Sequence, residues 1–418
     1  MTARETTTFE RKEKVSKTFL KTVSAYANYA TGQIVFGVND EGIVVGLEDP
    51  IDTCLRIENM INDSIDPTPR YLLSPDTKTN TVTLTVFEGS NKPYLACGKA
   101  YRRSDSATVE VDRLEYGRLM LEGSNQTYDE LPAKRQDLEF DVLEKRLQEK
   151  LEIEKLDGDI MKTLELLTVR DGYTNAAAIL ADSNNFKGVD VVRFSDSINK
   201  LMDRRIFEGT SAIAQLEGAV DMFHTYYLFE QIDGSERTVV ELVPEEAFRE
   251  AVANAIVHRT WDVPVNITIS MFPDRIEIVS PGSLPSGLSV DEYLGGHISL
   301  LRNPILANVF FRLRYIEKFG TGVLRINEAY SGFSRKPSFT LREESIMVTL
   351  PIVDGIRLSE DEKAVMAVIP QSVELSRSDI ASKAGFSKDK TIRVLNALLS
   401  KGSLAKQGDG RSTRYFRV

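Results

Sequence analysis

The sequence predicts an α+β multidomain chain, and three observations lead there. Its 418 residues allow about three domains at the usual size of about 100 to 200 residues each. Helix-period and strand-period segments follow one another without a tandem repeat. The composition also breaks twice, at a polar stretch beginning near Glu122 and at a basic tail beginning near Leu375. The expected division is a mixed α/β domain over 1–121, a helical connector over 122–237, an α/β sandwich over 238–355 and a small helix-rich module over 356–418.

Taken in order, Phe19, Leu20, Val23, Tyr26 and Ala27 keep helical spacing, and GQIVFGVNDEGIVVGL reads as two short strands around an Asn39-Asp40-Glu41-Gly42 hairpin. TVTLTVF and KAYRRS read as further strands. From Glu122 to Asp159 the chain turns polar and ends in a charged helix, EFDVLEKRLQEKLEIEKL; residues 160–230 read as mainly helical. Pro244 suits a first helical position, and Glu245 and Glu246 complement the positive end of the helix that follows. NITISMF and RIEIVS then alternate as strands around Pro273-Asp274, ahead of a Gly/Ser/Pro-rich stretch, PGSLPSGLS. After the polar GGHISLLRNP, ILANVFF begins a helix, and Gly320-Thr321-Gly322 opens another. The last segment reads as three helices and two strands around a Gly-Asp-Gly turn.

Bulk properties narrow the chemistry. No apolar run approaches the roughly 20 residues of a membrane span, and the N-terminus lacks the apolar core of a secretory signal, so a cytoplasmic protein is expected. Cys54 and Cys97 are too few for a disulfide framework or a cysteine metal site, and three histidines are too few for a site built of imidazoles. The net charge of −10 argues against a chain that coats nucleic acid along its length. From Leu375 onward, however, ten Lys/Arg stand against three acids, a local excess that attracts phosphate.

One helix carries the strongest chemical signal. In EEAFREAVANAIVHRTW, Glu250, Asn254 and His258 recur every four residues and so share one stripe, beside the apolar Ala251, Val252, Ala255 and Ile256. The stripe is either the solvent edge of an amphipathic helix or the wall of a site.

With the downstream order of strand, glycine-rich turn, polar segment and Gly-x-Gly helix start, this region resembles the GHKL ATPase superfamily, the Bergerat nucleotide-binding fold, in a divergent form found in bacterial proteins described as transcriptional regulators. The resemblance implies ATP and Mg²⁺ as cofactors, Glu250 as general base and Asn254 as metal ligand. A carboxylate can deprotonate water, and an amide oxygen is a hard neutral ligand for hydrated Mg²⁺. EKFGTGVLRI resembles the second glycine box, so Gly320, Thr321 and Gly322 are expected to meet phosphates through backbone amides. Ser280, with Gly282 after it, stands where the family places an aspartate that accepts from adenine. His258 and Arg302 join the expected cofactor-binding set; His297, Ser299 and Asn303 in the same polar segment either reach phosphate or form a capping loop.

RETTTFERKEK, VSAYANYATGQ and the hairpin together resemble the Schlafen AlbA-like domain, over roughly 4–120. This implies nucleic-acid binding, and in some relatives a metal-dependent nuclease of three carboxylates, which map onto Glu5, Glu10 and Asp40. Arg102 and Arg103 are candidates for a sugar-phosphate backbone. Cys97-Gly98-Lys99-Ala100 lacks the rest of a P-loop. The tail from Glu374 resembles a winged helix-turn-helix, with Lys388, Lys390 and Arg393 on the second helix of the motif and Arg411 and Arg414 on the wing. The combined expectation is a DNA-binding transcriptional regulator with a nucleotide-binding centre, assembling as a homo-oligomer, with DNA the main partner, RNA a further one and no membrane. Two alternatives stand beside it: a nuclease acting through the N-terminal domain, and a nucleotide-free scaffold.

Overall fold

The computed structural model describes residues 4–233, 236–285, 288–296, 300–317, 320–342, 344–353, 359–370, 373–400, 403–408, 410 and 413–417. They form two compact units, Met1–Thr127 and Tyr128–Val418. None of the described helices is long and apolar enough to cross a membrane.

In the first unit, strand Phe9–Lys12 runs parallel to Gly32–Phe36, which pairs antiparallel with Thr81–Val86 and through it with Tyr71–Asp76. Helix Phe19–Tyr29 is buried along most of its length, and its Phe19 ring meets Phe36 edge-on at 5.3 Å. The Asn39 turn forms, with the Asn39 side chain accepting from the Ile43 amide at 2.8 Å. The second expected strand of that hairpin does not: past the bridge Val38↔Val44, Ile43, Val44 and Val45 are exposed and, among the described residues, pair with no strand. Tyr101–Ser104 and Ala107–Glu110 make a separate ribbon.

The second unit is built on a six-stranded sheet in the order Leu201–Phe207, Val189–Phe194, Ile267–Met271, Arg275–Pro281, Ser345–Pro351, Ser338–Leu341. Only the Val189–Phe194 and Ile267–Met271 pair is parallel. Ile267, Ile269, Met271, Ile276, Ile278 and Leu350 are buried on one face, where helices Ala212–Tyr227 and Glu245–His258 pack; Phe223 and Phe248, one from each helix, stack at 4.5 Å. The stretch expected as a mainly helical connector differs here. Its Val189–Phe194 and Leu201–Phe207 are strands of the sheet, and one continuous core runs from Leu143 to Val353. Val189 to Val192 are buried on both faces, and a run of that kind carries no period by which strand and helix can be told apart.

Helices Glu360–Val368, Arg377–Ala384 and Lys388–Ser400 follow, with a three-stranded sheet in which Arg414–Arg417 lies between Leu375–Ser376 and Leu404–Gln407. Val365, Ile380, Leu395 and Leu398 form its core. Ser359 and Ser376 each close a capping box at a helix start.

Beyond the last turn of Glu245–His258 lies Arg259, fully buried, whose bonded partners among the described residues are backbone carbonyls and not carboxylates. Its guanidinium donates to the carbonyls of Lys187 (3.0 Å), Gly188 (3.2 Å) and Val265 (2.5 Å) and sits 4.3 Å from the Trp261 ring centroid. It ties the helix end to the strands beside it, and burial lowers its pKa to about 10. Arg259→Leu leaves the Lys187 and Val265 carbonyls without this donor, and we expect a loss of about 3 kcal/mol or more in urea unfolding. A change below about 1 kcal/mol would show that Arg259 is not a brace.

Candidate functional site

A cleft opens between helix Glu245–His258, the sheet and helix Gly322–Ala329, with about 1070 Å³ of space when its open mouth is counted. Asn254 and His258 stand on its wall, with Ser280 and Gly282 from the end of one strand and Arg302 from the segment before Pro304. Gly320, Thr321 and Gly322 complete the opposite side. The deep wall is apolar, from Ile278, Ile326, Ile346 and Val348. That wall has no local signature in the sequence, because its residues lie on three elements separated in the chain.

Glu250 lies one turn before Asn254, buried and just off the cleft wall. Asn254 Nδ2 donates to Glu250 Oε1 at 3.0 Å. Because an ionised carboxylate only accepts, this bond holds the amide nitrogen toward Glu250 and leaves Oδ1 as the carboxamide's remaining polar atom. Gly322 presses on the pair: a Cβ there would stand 2.3 Å from Asn254 Nδ2 and 2.9 Å from Glu250 Oε1, so any larger residue would push these side-chain ends out of their present places. Burial raises the Glu250 pKa, and the Asn254 hydrogen bond and the Arg325 guanidinium oppose the rise.

The neighbouring polar groups divide between cleft and scaffold. Ser280 Oγ donates to the Ala255 carbonyl at 3.0 Å, so toward the cleft its hydroxyl has only lone pairs to present. Gly282, at φ +115°, has the Thr260 hydroxyl where a Cβ would be. Arg302 donates to the Ser283 carbonyl at 2.5 Å, joining the two segments that border the mouth. Asn303 takes the capping alternative: it is buried and its amide caps the Val257 and Arg259 carbonyls at 2.7 and 2.9 Å. His297 and Ser299 lie outside the described residues. Glu317 and Arg325, not among the expected site residues, form an ion pair at 3.1 Å; their one signal in the sequence is an acid and a base on either side of the Gly-x-Gly.

In the first unit the three carboxylates do not assemble as the nuclease expectation requires. Glu10 is buried and ion-paired on both oxygens, with Lys12 at 2.6 Å and Arg103 at 3.1 Å. Glu5 accepts from the Arg11 amide, Asp40 is exposed in its turn, and among the described residues no three His, Cys, Asp or Glu side chains gather as a metal site. Arg103 is likewise corrected as a phosphate contact, since its guanidinium is buried against Glu10, Thr108 and the Thr6 carbonyl. Arg102 is half-exposed beside Glu115.

In the last module Lys388, Arg393 and Arg414 are exposed. Lys390 instead pairs with Asp361 at 2.7 Å and lies over the Phe386 ring. Arg411 lies outside the described residues.

Residues 265–350 match the family model described as Putative ATP-dependent DNA helicase recG C-terminal, and residues 5–112 match the model described as Schlafen, AlbA_2. The chain thus carries an N-terminal Schlafen AlbA_2 domain and an ATPase-like domain similar to the recG C-terminal family. The helix bearing Glu250 and Asn254 lies just before the 265–350 stretch. The crystal structure of the DIP2311 protein from Corynebacterium diphtheriae is similar over 99% of this chain and 95% of that one, at 16% identity and a TM-score of 0.49. No curated protein matches the chain.

Burial, and secondarily the Arg302 guanidinium, hold the His258 pKa down at about 4, against 6.5 for a free imidazole. Since the unfolded chain takes up this proton first, its share of stability is present above pH 6.5 and is lost as pH falls toward 4. His258→Gln is expected to flatten the melting temperature between pH 6.5 and 4; an unaltered slope would show that His258 is not held neutral.

Proposed function

We propose that the chain binds ATP with Mg²⁺ in the central cleft and DNA through its C-terminal module, acting as a nucleotide-responsive regulator of transcription. The Asn254–Glu250 hydrogen bond under Gly322 carries the reading, because it leaves a hard neutral oxygen, Asn254 Oδ1, for a metal beside the Gly-x-Gly turn. That donor set fits Mg²⁺, which is commonly held by one or two protein oxygens together with substrate phosphates and water. When bound, Mg²⁺ would be held from the protein side by Asn254 Oδ1 and would supply positive charge that offsets that of the phosphates. The match to the ATPase-like family adds support.

The protein's own groups have distinct roles in this account. The apolar wall of Ile278, Ile346 and Val348 packs the base and excludes water, and Ser280 accepts from its edge. The amides at Gly320 to Gly322 and the start of helix Gly322–Ala329 receive the phosphates. Glu250 Oε2 takes a proton from the attacking water, Oε1 being held by Asn254, and its raised pKa suits a base. Hydrolysis is slow in this reading, and binding the dominant event.

Titration calorimetry with ATP and Mg²⁺ is expected to give heat with wild type, at least about tenfold weaker binding with Asn254→Ala, and retained binding without ADP release with Glu250→Gln. Equal heats in wild type and Asn254→Ala, or none in either, would contradict the site.

The C-terminal helices and three-stranded sheet support a winged helix-turn-helix, with Lys388 and Arg393 on one helix and Arg414 on a strand directed at phosphates. The Schlafen AlbA_2 match supports a second nucleic-acid contact, to DNA or RNA, through the first unit. A homo-oligomer reading paired half-sites fits the same account. For DNA retention, the triple variant Lys388→Ala, Arg393→Ala, Arg414→Ala should reduce the slope of log K against log[salt] by about one per phosphate contact removed. Retention that ignores both salt and these substitutions would overturn the DNA reading.

A further inference from the structure

Glu317 precedes the Gly320-Thr321-Gly322 turn, Arg325 follows it, and both side chains are about two-fifths exposed, at 46% and 38%. Their 3.1 Å ion pair joins the two sides of the turn. On helix Gly322–Ala329, Arg325 is three residues beyond Gly322 and shares the face that Gly322 turns toward Glu250 and Asn254. Thr321, which begins this helix, makes no side-chain capping bond, and the Arg325 amide closes the first turn onto the Thr321 carbonyl at 2.9 Å. The helix start therefore lacks the device that holds the starts at Ser359 and Ser376.

We propose that the Glu317–Arg325 pair is a clasp that holds the glycine turn in its phosphate-receiving shape, with Arg325 a positioning residue that acts through Glu317 rather than by touching ligand. This rests on the nucleotide reading for its purpose, and on the ion pair alone for its mechanics. An exposed pair of this kind is worth at most about 1 kcal/mol, a factor of about five, so its effect should be local rather than global.

The experiment is hydrogen exchange at the amide of residue 325 in the ligand-free full chain, followed by titration with ADP and Mg²⁺. Arg325→Gln and Glu317→Gln should each speed exchange there about three- to fivefold with an unchanged melting temperature, and weaken ADP by a similar factor. The exchanged pair, Glu317→Arg with Arg325→Glu, should restore both readouts. Unchanged exchange in the single variants, or no restoration in the exchanged pair, would overturn the clasp; altered exchange with unaltered ADP affinity would overturn the positioning role. A wild type that takes no ADP overturns the nucleotide reading instead, and the exchange result still judges the clasp.

Discussion

The central cleft depends on a backbone pressed against two polar side chains. Gly322 approaches the Asn254 amide and the Glu250 carboxylate so closely that a Cβ would displace them, and the contact sets where the turn stands relative to the acid–amide helix. Burying a carboxylate is costly. Here the cost is offset by the Asn254 hydrogen bond and by the nearby Arg325 guanidinium, and among the described residues no direct ion pair covers the carboxylate.

That arrangement needs a rigid support, which the rest of the second unit provides. Phe248 stacks on Phe223, Ser280 and Asn303 bind carbonyls of the helix's last turns, and Arg259 fastens its end to three further carbonyls. Polar residues that border a cleft are easily read as ligand contacts. Here the Asn303 amide is committed to the Val257 and Arg259 carbonyls, so it serves the scaffold.

Much of the site was legible because it is local. The i, i+4, i+8 stripe of Glu250, Asn254 and His258, the alternating strands on either side of Pro273-Asp274 and the Gly-x-Gly helix start each signal within a few residues, and each forms as expected. What was hidden is long-range. Arg103 reads as an exposed strand cation until Glu10, 93 residues earlier, is seen to neutralise it, and Lys390 reads as a phosphate contact until Asp361 appears beside it. Val189–Phe194 was obscured because burial on both faces removes strand alternation, and its parallel partner lies nearly 80 residues later.

The most direct measurement is a crystal structure grown with a non-hydrolysable ATP analogue and Mn²⁺ in place of Mg²⁺, the metal located by its anomalous signal. The account predicts a metal peak at about 2.2 Å from Asn254 Oδ1, with the phosphates against the amides of Gly320 to Gly322. A metal held elsewhere, or a nucleotide bound outside the cleft with Asn254 turned away from it, would contradict the account.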